Sequence, residues 1–377
     1  MIKNMTIIFR TTNCCNLNCK YCYDKENHKR KNIENENFNS KIPLIVSNLK
    51  KIWKNKEQNS EIIFHGGEPL IISSGNYEKL IKEIKNEYPN TIISMQTNGT
   101  LINEEFIRLF KKYNIHLGIS LDGFNNDTNK NRIFSNGKNS FNLVMKNINH
   151  LKKNSIKFGV IMTLTSEILG KEEELYDFIA KEDIKCNIRP AFKSNDSDVK
   201  YMTDNQYFEF YKKIFNIWVN DDKRRVKLTQ IKELYDEFAK VLEPNYSCRS
   251  CSSSGKCFEN FISLDCNGNL YSCNRTYNNK EFYYGNISKL TCIELEEKIY
   301  SKVYTRKNLI ENSKCKQCLL YNECHGGCPA NGYALNNDMG IDTNFCVAKN
   351  KIRNYVKDYM KKNNIEKQYI EMKKNAK

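Results

Sequence analysis

Up to about residue 220, six short β-type runs alternate with six helical patterns, and few folds accept that order. The runs are Thr6–Arg10, Glu61–His65, Thr91–Thr97, His116–Leu121, Lys157–Thr163 and Lys185–Pro190; the helical patterns fall near 38–56, 75–88, 103–113, 139–153, 171–182 and 204–219. Alternating units of this kind build a parallel sheet with right-handed crossovers. A closed barrel takes eight strands, so six predict an α/β fold with a partial, open (β/α)6 barrel. Such sheets carry their chemistry in loops at the carboxyl ends of the strands. The unusual segments of this chain fall there: a cysteine triplet after the first run, Gly66-Gly67-Glu68-Pro69 after the second, Gln96-Thr97-Asn98-Gly99 after the third and Ser120-Leu121-Asp122-Gly123 after the fourth.

The triplet is Cys15-Asn-Leu-Asn-Cys19-Lys-Tyr-Cys22. Three thiolates at that spacing wrap one face of an iron–sulfur cube and leave one iron without a protein ligand, which marks a reactive cluster. Zinc is the alternative, because C-x-x-C spacing also suits a tetrahedral site. A helical segment near 229–242 then leads into residues 248–346, which hold eleven of the sixteen cysteines. Strong periodicity disappears there, as in a small module organised by metal sites. The expected division is therefore 1–222 barrel, 223–247 helical connection, 248–348 cysteine-rich α+β module and 349–377 terminal helix.

Nothing in the sequence approaches the length of an apolar membrane span, and the first ten residues lack a signal-peptide core. That reads as a cytoplasmic chain without a membrane partner, in a compartment where thiols stay reduced and ligate metals. The net charge of +16 could attract nucleic acid or an acidic peptide. The lysines are spread along the chain with no arginine stripe and no aromatic platform, which argues against nucleic acid; the basic tail Lys349–Lys377 reads as a solvated helix.

The triplet, with an aromatic before its last cysteine and Gly66-Gly67-Glu68-Pro69 downstream, resembles a radical S-adenosylmethionine (SAM) enzyme, over essentially the whole chain. The resemblance implies a [4Fe–4S] cluster on Cys15, Cys19 and Cys22 whose open iron chelates SAM. One-electron cleavage of SAM then yields methionine and a 5′-deoxyadenosyl radical. It also implies SAM contacts from Tyr21, Gly66, Ser120 and Arg132, with Gly67 giving close backbone approach, Glu68 facing the methionyl ammonium and Phe192 offering a backbone contact. Arg132 has the geometry to clamp a carboxylate.

Cys315-x2-Cys318-x5-Cys324-x3-Cys328-Pro, with Cys346 beyond and Cys251, Cys257, Gly268 and Cys273 upstream, is similar to a SPASM domain, and within that group to the anaerobic sulfatase-maturating enzymes. This implies two auxiliary [4Fe–4S] clusters, three clusters in all: Cys251, Cys257, Cys273 and Cys328 for the first, Cys315, Cys318, Cys324 and Cys346 for the second. Cys14, Cys186, Cys248, Cys266 and Cys292 are left over. Cys186 reads as a core residue, and Cys248 as a competitor of Cys251.

One departure decides the expected chemistry. Sulfatase maturases have an aspartate base after the cysteine matching Cys273; here stands Asn274, which accepts no proton at neutral pH. Asp265 and Tyr277 are the nearest substitutes. The expectation is a maturase that takes a hydrogen from a peptide or protein residue and then oxidises or cross-links it, for example to a thioether. Formylglycine formation from Ser or Cys is the alternative, and a non-catalytic electron carrier or zinc module the alternative of another class. The implied partners are the peptide substrate and an electron donor such as flavodoxin or ferredoxin. Because the first strand begins by residue 6, leaving no room ahead of it for a leader-binding domain, the expectation is either recognition of a short motif, as in sulfatase maturases, or a separate leader-peptide-binding protein as a further partner.

Overall fold

The computed structural model describes residues 5–27, 38–53, 60–192, 199–243, 246, 254–342 and 344–363. Strands β1 (Thr6–Thr12), β2 (Glu61–Gly66), β3 (Ile92–Thr97), β4 (His116–Ser120), β5 (Phe158–Leu164) and β6 (Cys186–Pro190) alternate with helices α1 (Phe38–Ile52), α2 (Ser74–Glu87), α3 (Glu104–Tyr113), α4 (Phe141–Lys153), α5 (Glu172–Glu182) and α6 (Asp204–Val219). All six strands run parallel. The sheet does not close.

The period of two along each strand sorts its residues. Ile7, Phe9, Ile62 and Phe64 are buried against the helices, with the Phe64 ring 4.9 Å from Tyr77 of α2. Arg10, His65, Gln96 and Ser120 take the opposite face, where their polar atoms meet one another and the carboxyl-end loops. This face is the floor of the site.

The sheet is longer than the six strands the alternation implies. Among the described residues its order is β6-β5-β4-β3-β2-β1-β7-β8-β9. Strand β7 (Phe261–Asp265) pairs parallel with β1, Ile7 opposite Ile262, and β8 (Asn269–Tyr271) and β9 (Tyr283–Asn286) continue antiparallel. The cysteine-rich region thus shares one sheet with the barrel. Asn267-Gly268 turns the β7–β8 hairpin, Gly268 at φ +84°, a sequence signal for such turns.

Helix α7 (Lys232–Leu242) follows, and the cysteine-rich region adds a long helix, α8 (Cys292–Glu311), opened by a capping box between Thr291 and Glu294. Its exposed Ile293, Tyr300 and Tyr304 blur the apolar stripe, which is why periodicity alone missed it. The last described helices are α9 (Pro329–Asn336) and α10 (Cys346–Asn363). The terminal helix is not solvated all round: Ala348, Ile352, Val356 and Met360 are buried, and Tyr355 and Tyr359 lie 5.7 and 5.1 Å from the Phe215 ring of α6. Residues 364–377 of the expected tail lie outside the described residues. No described helix is long and apolar enough to cross a membrane.

Candidate active site

The cysteine loop after β1 has little regular structure, so its backbone must be held from both sides. On one side Gly67 N donates to Thr12 O (2.9 Å) and Glu68 N to Cys14 O (2.7 Å). A Cβ on Gly66 would sit 2.3 Å from Thr12 O, and one on Gly67 2.1 Å from Cys14 O. The glycine pair therefore lets the β2 loop press onto the cysteine loop. On the other side Asn18 N donates to Ile133 O (2.7 Å) and Lys20 N to Asn131 O (3.0 Å). The triplet is clamped between the β2 loop and the segment that carries Arg132.

Cys15, Cys19 and Cys22 are not joined in disulfides and sense one another electrostatically. Burial foremost raises all three, Cys22 to about 12; neighbouring negative charge adds to it at Cys15 and Cys22, whereas at Cys19 the Arg132 charge opposes it. Among the described residues no three His, Cys, Asp or Glu side chains converge on a single ion position.

Glu68 is committed to its own scaffold. Its carboxylate accepts from Leu70 N (3.0 Å), Thr97 Oγ1 (2.6 Å) and Asn98 N (2.7 Å), tying the β2 loop to the β3 loop. The Tyr21 hydroxyl donates to Asp122 and accepts from Arg132 Nη1 (2.9 Å), while Asp122 also accepts from Thr163 N (2.9 Å). Arg132 is buried with its Nε unpartnered. Ser120 Oγ accepts from Gln96 Nε2 (3.2 Å). Phe192, at the end of β6, lies under the Arg275 guanidinium, 5.1 Å from the ring centre.

Asn274 is buried where the β1 and β2 ends meet the cysteine-rich region. Its Oδ1 accepts from Arg10 Nη1 (3.1 Å), and its Nδ2 faces the Tyr23 hydroxyl (3.0 Å) and His65 Nδ1 (3.3 Å). Gly66 N also donates to His65 Nδ1 (2.8 Å), so that nitrogen is the acceptor of the neutral ring. Burial, with help from the Arg10 charge, lowers His65 to about 4. Arg10 pairs with buried Asp24 and lies 4.1 Å over the Tyr277 ring.

Both nearest substitutes, Asp265 and Tyr277, are engaged within the protein. Asp265 accepts from Asn267 N (2.8 Å), Asn269 N (2.9 Å), Asn269 Nδ2 (3.0 Å) and the Tyr277 hydroxyl (3.3 Å), which makes it the cap of the β7–β8 turn. Tyr277 spends its proton on Asp265, and burial foremost raises it further. Sequence reasoning missed Arg10, Asp24, His65 and Asp122. For Arg10, His65 and Asp122 the available signal was a polar residue on the site face at or just past a strand end; Asp24, beyond the cysteine loop, carried none.

The structure brings the second set of cysteines into two groups. Tyr284 neighbours Cys257 and Cys273, Arg275 lies between Cys273 Sγ and Cys328 Sγ, and Arg306 neighbours Cys257 and Cys328 and, less strongly, Cys324 of the other group. Cys346 senses Cys324 and Cys315, and Cys318 N donates to Cys315 O (3.1 Å). Cys251 and Cys248 lie outside the described residues. Of the others, Cys186 is buried in the core, Cys14 is buried beside the triplet, Cys266 donates to Thr11 O (3.2 Å) and Cys292 to Lys51 O (3.3 Å).

Residues 9–179 match the Radical SAM superfamily. The cysteine-type anaerobic sulfatase-maturating enzyme of Clostridium novyi (strain NT) is 29% identical over 342 residues, 88% of this chain and 89% of that protein. The structure of native anSMEcpe with bound AdoMet superposes with a TM-score of 0.77 at 21% identity, covering 96% of this chain and 99% of the other. Streptococcus suis SuiB bound to precursor peptide SuiA gives 0.63 at 15% identity, covering 92% and 76%. Residues 9–179 thus form a radical SAM domain, and that match together with the sulfatase-maturating relatives supports an enzyme role. The chain is related over most of its length to sulfatase-maturating enzymes, and SAM with a [4Fe–4S] cluster is the equipment of its domain family.

The residues present fit that equipment. Three unbridged thiols sit in one clamped loop, and the unpartnered, buried Arg132 Nε lies beside them. Near the second set, Ser272 Oγ, Tyr284 OH and Arg306 Nε are likewise buried without partners. Buried polar atoms of this kind call for a partner.

Proposed function

We propose that this maturase joins a carbon of a peptide or protein substrate to a cysteine thiol, a thioether-type cross-link, rather than making formylglycine. The carrying observation is the setting of Asn274: an amide held by Arg10, Tyr23 and His65, with Asp24 and Asp265 already engaged and His65 neutral but weakly basic. A site without a proton acceptor suits coupling to a thiol that reacts as thiolate.

On this reading the barrel of 1–222 binds SAM through Tyr21, Gly66, Ser120 and Arg132, with Cys15, Cys19 and Cys22 as cluster ligands. Residues 248–348 hold two auxiliary clusters, on Cys251, Cys257, Cys273 and Cys328, and on Cys315, Cys318, Cys324 and Cys346. SAM on its cluster supplies the radical that takes the hydrogen atom, and auxiliary clusters supply an electron acceptor. The balance is one hydrogen atom from carbon, one proton from the thiol and one electron to the acceptor per bond made. Arg132, Tyr21 and Asp122 orient the cofactor; Asn274, Tyr23 and His65 present a neutral wall to the substrate. The reductant is a flavodoxin- or ferredoxin-type donor, and SuiB's precursor peptide SuiA supports a ribosomal peptide as substrate.

The test is co-expression with a short cysteine-containing open reading frame encoded beside the gene, followed by mass spectrometry. Loss of two hydrogens together with one alkylatable thiol is expected. Sulfatase maturation is the second reading, favoured by the 29% identity to the Clostridium novyi enzyme. Efficient conversion of a sulfatase-motif peptide to an aldehyde, trapped with a hydrazide, would select it instead.

A further inference from the structure

Two buried side chains beside the second set of cysteines, Arg306 and Tyr284, each carry a polar atom that no group of the protein answers. Arg306 of α8 is buried, and its Nη2 donates to His325 O (3.0 Å) and Gly327 O (2.6 Å). Those carbonyls belong to Cys324-His325-Gly326-Gly327-Cys328, the segment that passes from one cysteine group to the other. His325, Gly326 and Gly327 are all left-handed, at φ 50°, 78° and 77°, a curl whose first and last carbonyls both meet the guanidinium. Its Nε has no partner. Tyr284 of β9, also buried, leaves its hydroxyl unpartnered beside Cys257 and Cys273. Asp342 is an acid that Arg306 senses, and its carboxylate is taken by Cys328 N (3.3 Å), Asn331 Nδ2 (2.9 Å) and Asn344 N (2.9 Å).

A buried guanidinium stays charged, and an unanswered buried donor is costly. Net charge and hydrogen bonds to sulfur are the means by which a protein sets an iron–sulfur potential. We propose that Arg306 and Tyr284 are tuning residues, which raise the reduction potential of the centre at Cys257, Cys273 and Cys328 above that of the centre at Cys315, Cys318, Cys324 and Cys346. Arg306 does so by fixed positive charge and Tyr284 by a hydroxyl donated toward the cluster. The inference rests on the auxiliary-cluster reading above and adds a direction: the inner centre is the better electron acceptor.

The test is an EPR-monitored redox titration of the full chain, with iron counted for each variant. It is run in wild type and in the Cys15, Cys19, Cys22→Ala background, where auxiliary signals stand alone. Arg306→Gln should shift the inner centre's reduction equilibrium at least tenfold towards the oxidised form, about 59 mV for one electron, and the outer centre less. Tyr284→Phe should move only the inner centre, in the same direction, and Arg306→Lys should keep most of the wild-type potential. Unchanged potentials in Tyr284→Phe and Arg306→Gln at full iron content would overturn the tuning roles. Should Arg306→Gln lose iron, Tyr284→Phe decides, because its hydroxyl supports no other group. A wild-type protein holding about four irons would instead overturn the auxiliary-cluster reading, and this inference with it.

Discussion

Asn274→Asp is the perturbation whose consequences can be worked furthest. It exchanges the Nδ2 group, 3.3 Å from His65 Nδ1 and 3.0 Å from the Tyr23 hydroxyl, for a carboxylate oxygen. Arg10 Nη1, 3.1 Å from Oδ1, keeps the new acid ionised. Tyr23 can turn its proton towards it, but His65 Nδ1 then presents a lone pair to a negative oxygen. A proton on that nitrogen relieves the repulsion. At 3.3 Å and an effective dielectric of about 20, the attraction between carboxylate and imidazolium is roughly 5 kcal/mol. That corresponds to about three pH units or more, so His65 should rise from about 4 to near neutrality. NMR titration of the histidines in the iron-free protein reads this directly. In assays with reductant and SAM, the native cross-link should slow, because the carboxylate repels an incoming thiolate. Oxidation of a serine-containing sulfatase-motif peptide should rise by roughly 10²–10⁴-fold if only a general base was missing. A wild-type enzyme that already oxidises that peptide, with the variant slower, would refute the reasoning. So would a His65 that still titrates near 4 in the variant.

Three further outcomes are expected. The reconstituted protein should hold about twelve irons from three cubanes; Cys15, Cys19, Cys22→Ala should lose about a third of them and all reductive SAM cleavage, as measured by iron analysis and 5′-deoxyadenosine release. Glu68→Ala strands three donors, at Leu70, Thr97 and Asn98. At about 1–3 kcal/mol each it should cost at least about 3 kcal/mol by denaturant unfolding, and Glu68→Gln clearly less. Glu233, whose Oε2 accepts from Ile188 N (2.8 Å) on β6 and whose Oε1 has no hydrogen-bond partner, is raised by burial to about 7. A carboxyl raised on folding costs stability as pH climbs from its unfolded value towards the folded one, since the unfolded chain ionises first. Glu233→Gln should therefore raise the melting temperature at pH 8 and leave it nearly unchanged at pH 4.

The alternation of β-type and helical runs was enough to place the first six strands, because each strand's apolar positions are set by the period of two. The loop motifs at the strand ends were legible for the same reason. Strand β7 was not, since a five-residue run pairing with a strand more than two hundred and fifty residues earlier leaves no local trace beyond the Asn267-Gly268 turn. Folding also gives these loop residues roles inside the protein that the motifs alone did not announce. Gly66-Gly67 was expected to face a cofactor, and both glycines are required by backbone packing on Thr12 and Cys14. Glu68 was expected to answer an ammonium, and its oxygens answer three protein donors.

The same distinction governs the chemistry. A list of carboxylates near Cys273 offers Asp265 and, after folding, Asp24; which of them is free to take a proton depends on partners that the list does not name. Asp265 is consumed by its own hairpin, a local pairing that the sequence Asp265-Cys-Asn-Gly-Asn already announces. Asp24 is consumed by Arg10, on a strand whose polar end would otherwise be an unpaired buried cation. Arg10 then has a second nitrogen to place, and it places it on Asn274, across 264 residues of chain. An amide at 274 can satisfy Arg10, Tyr23 and His65 at once with no net charge, whereas a carboxylate there must share Arg10 with Asp24 and recruit a proton to His65. On the proposed reading, the lack of a free base among the described residues is a property of the whole floor of the site, and adding one at 274 should move His65 as well as the reaction.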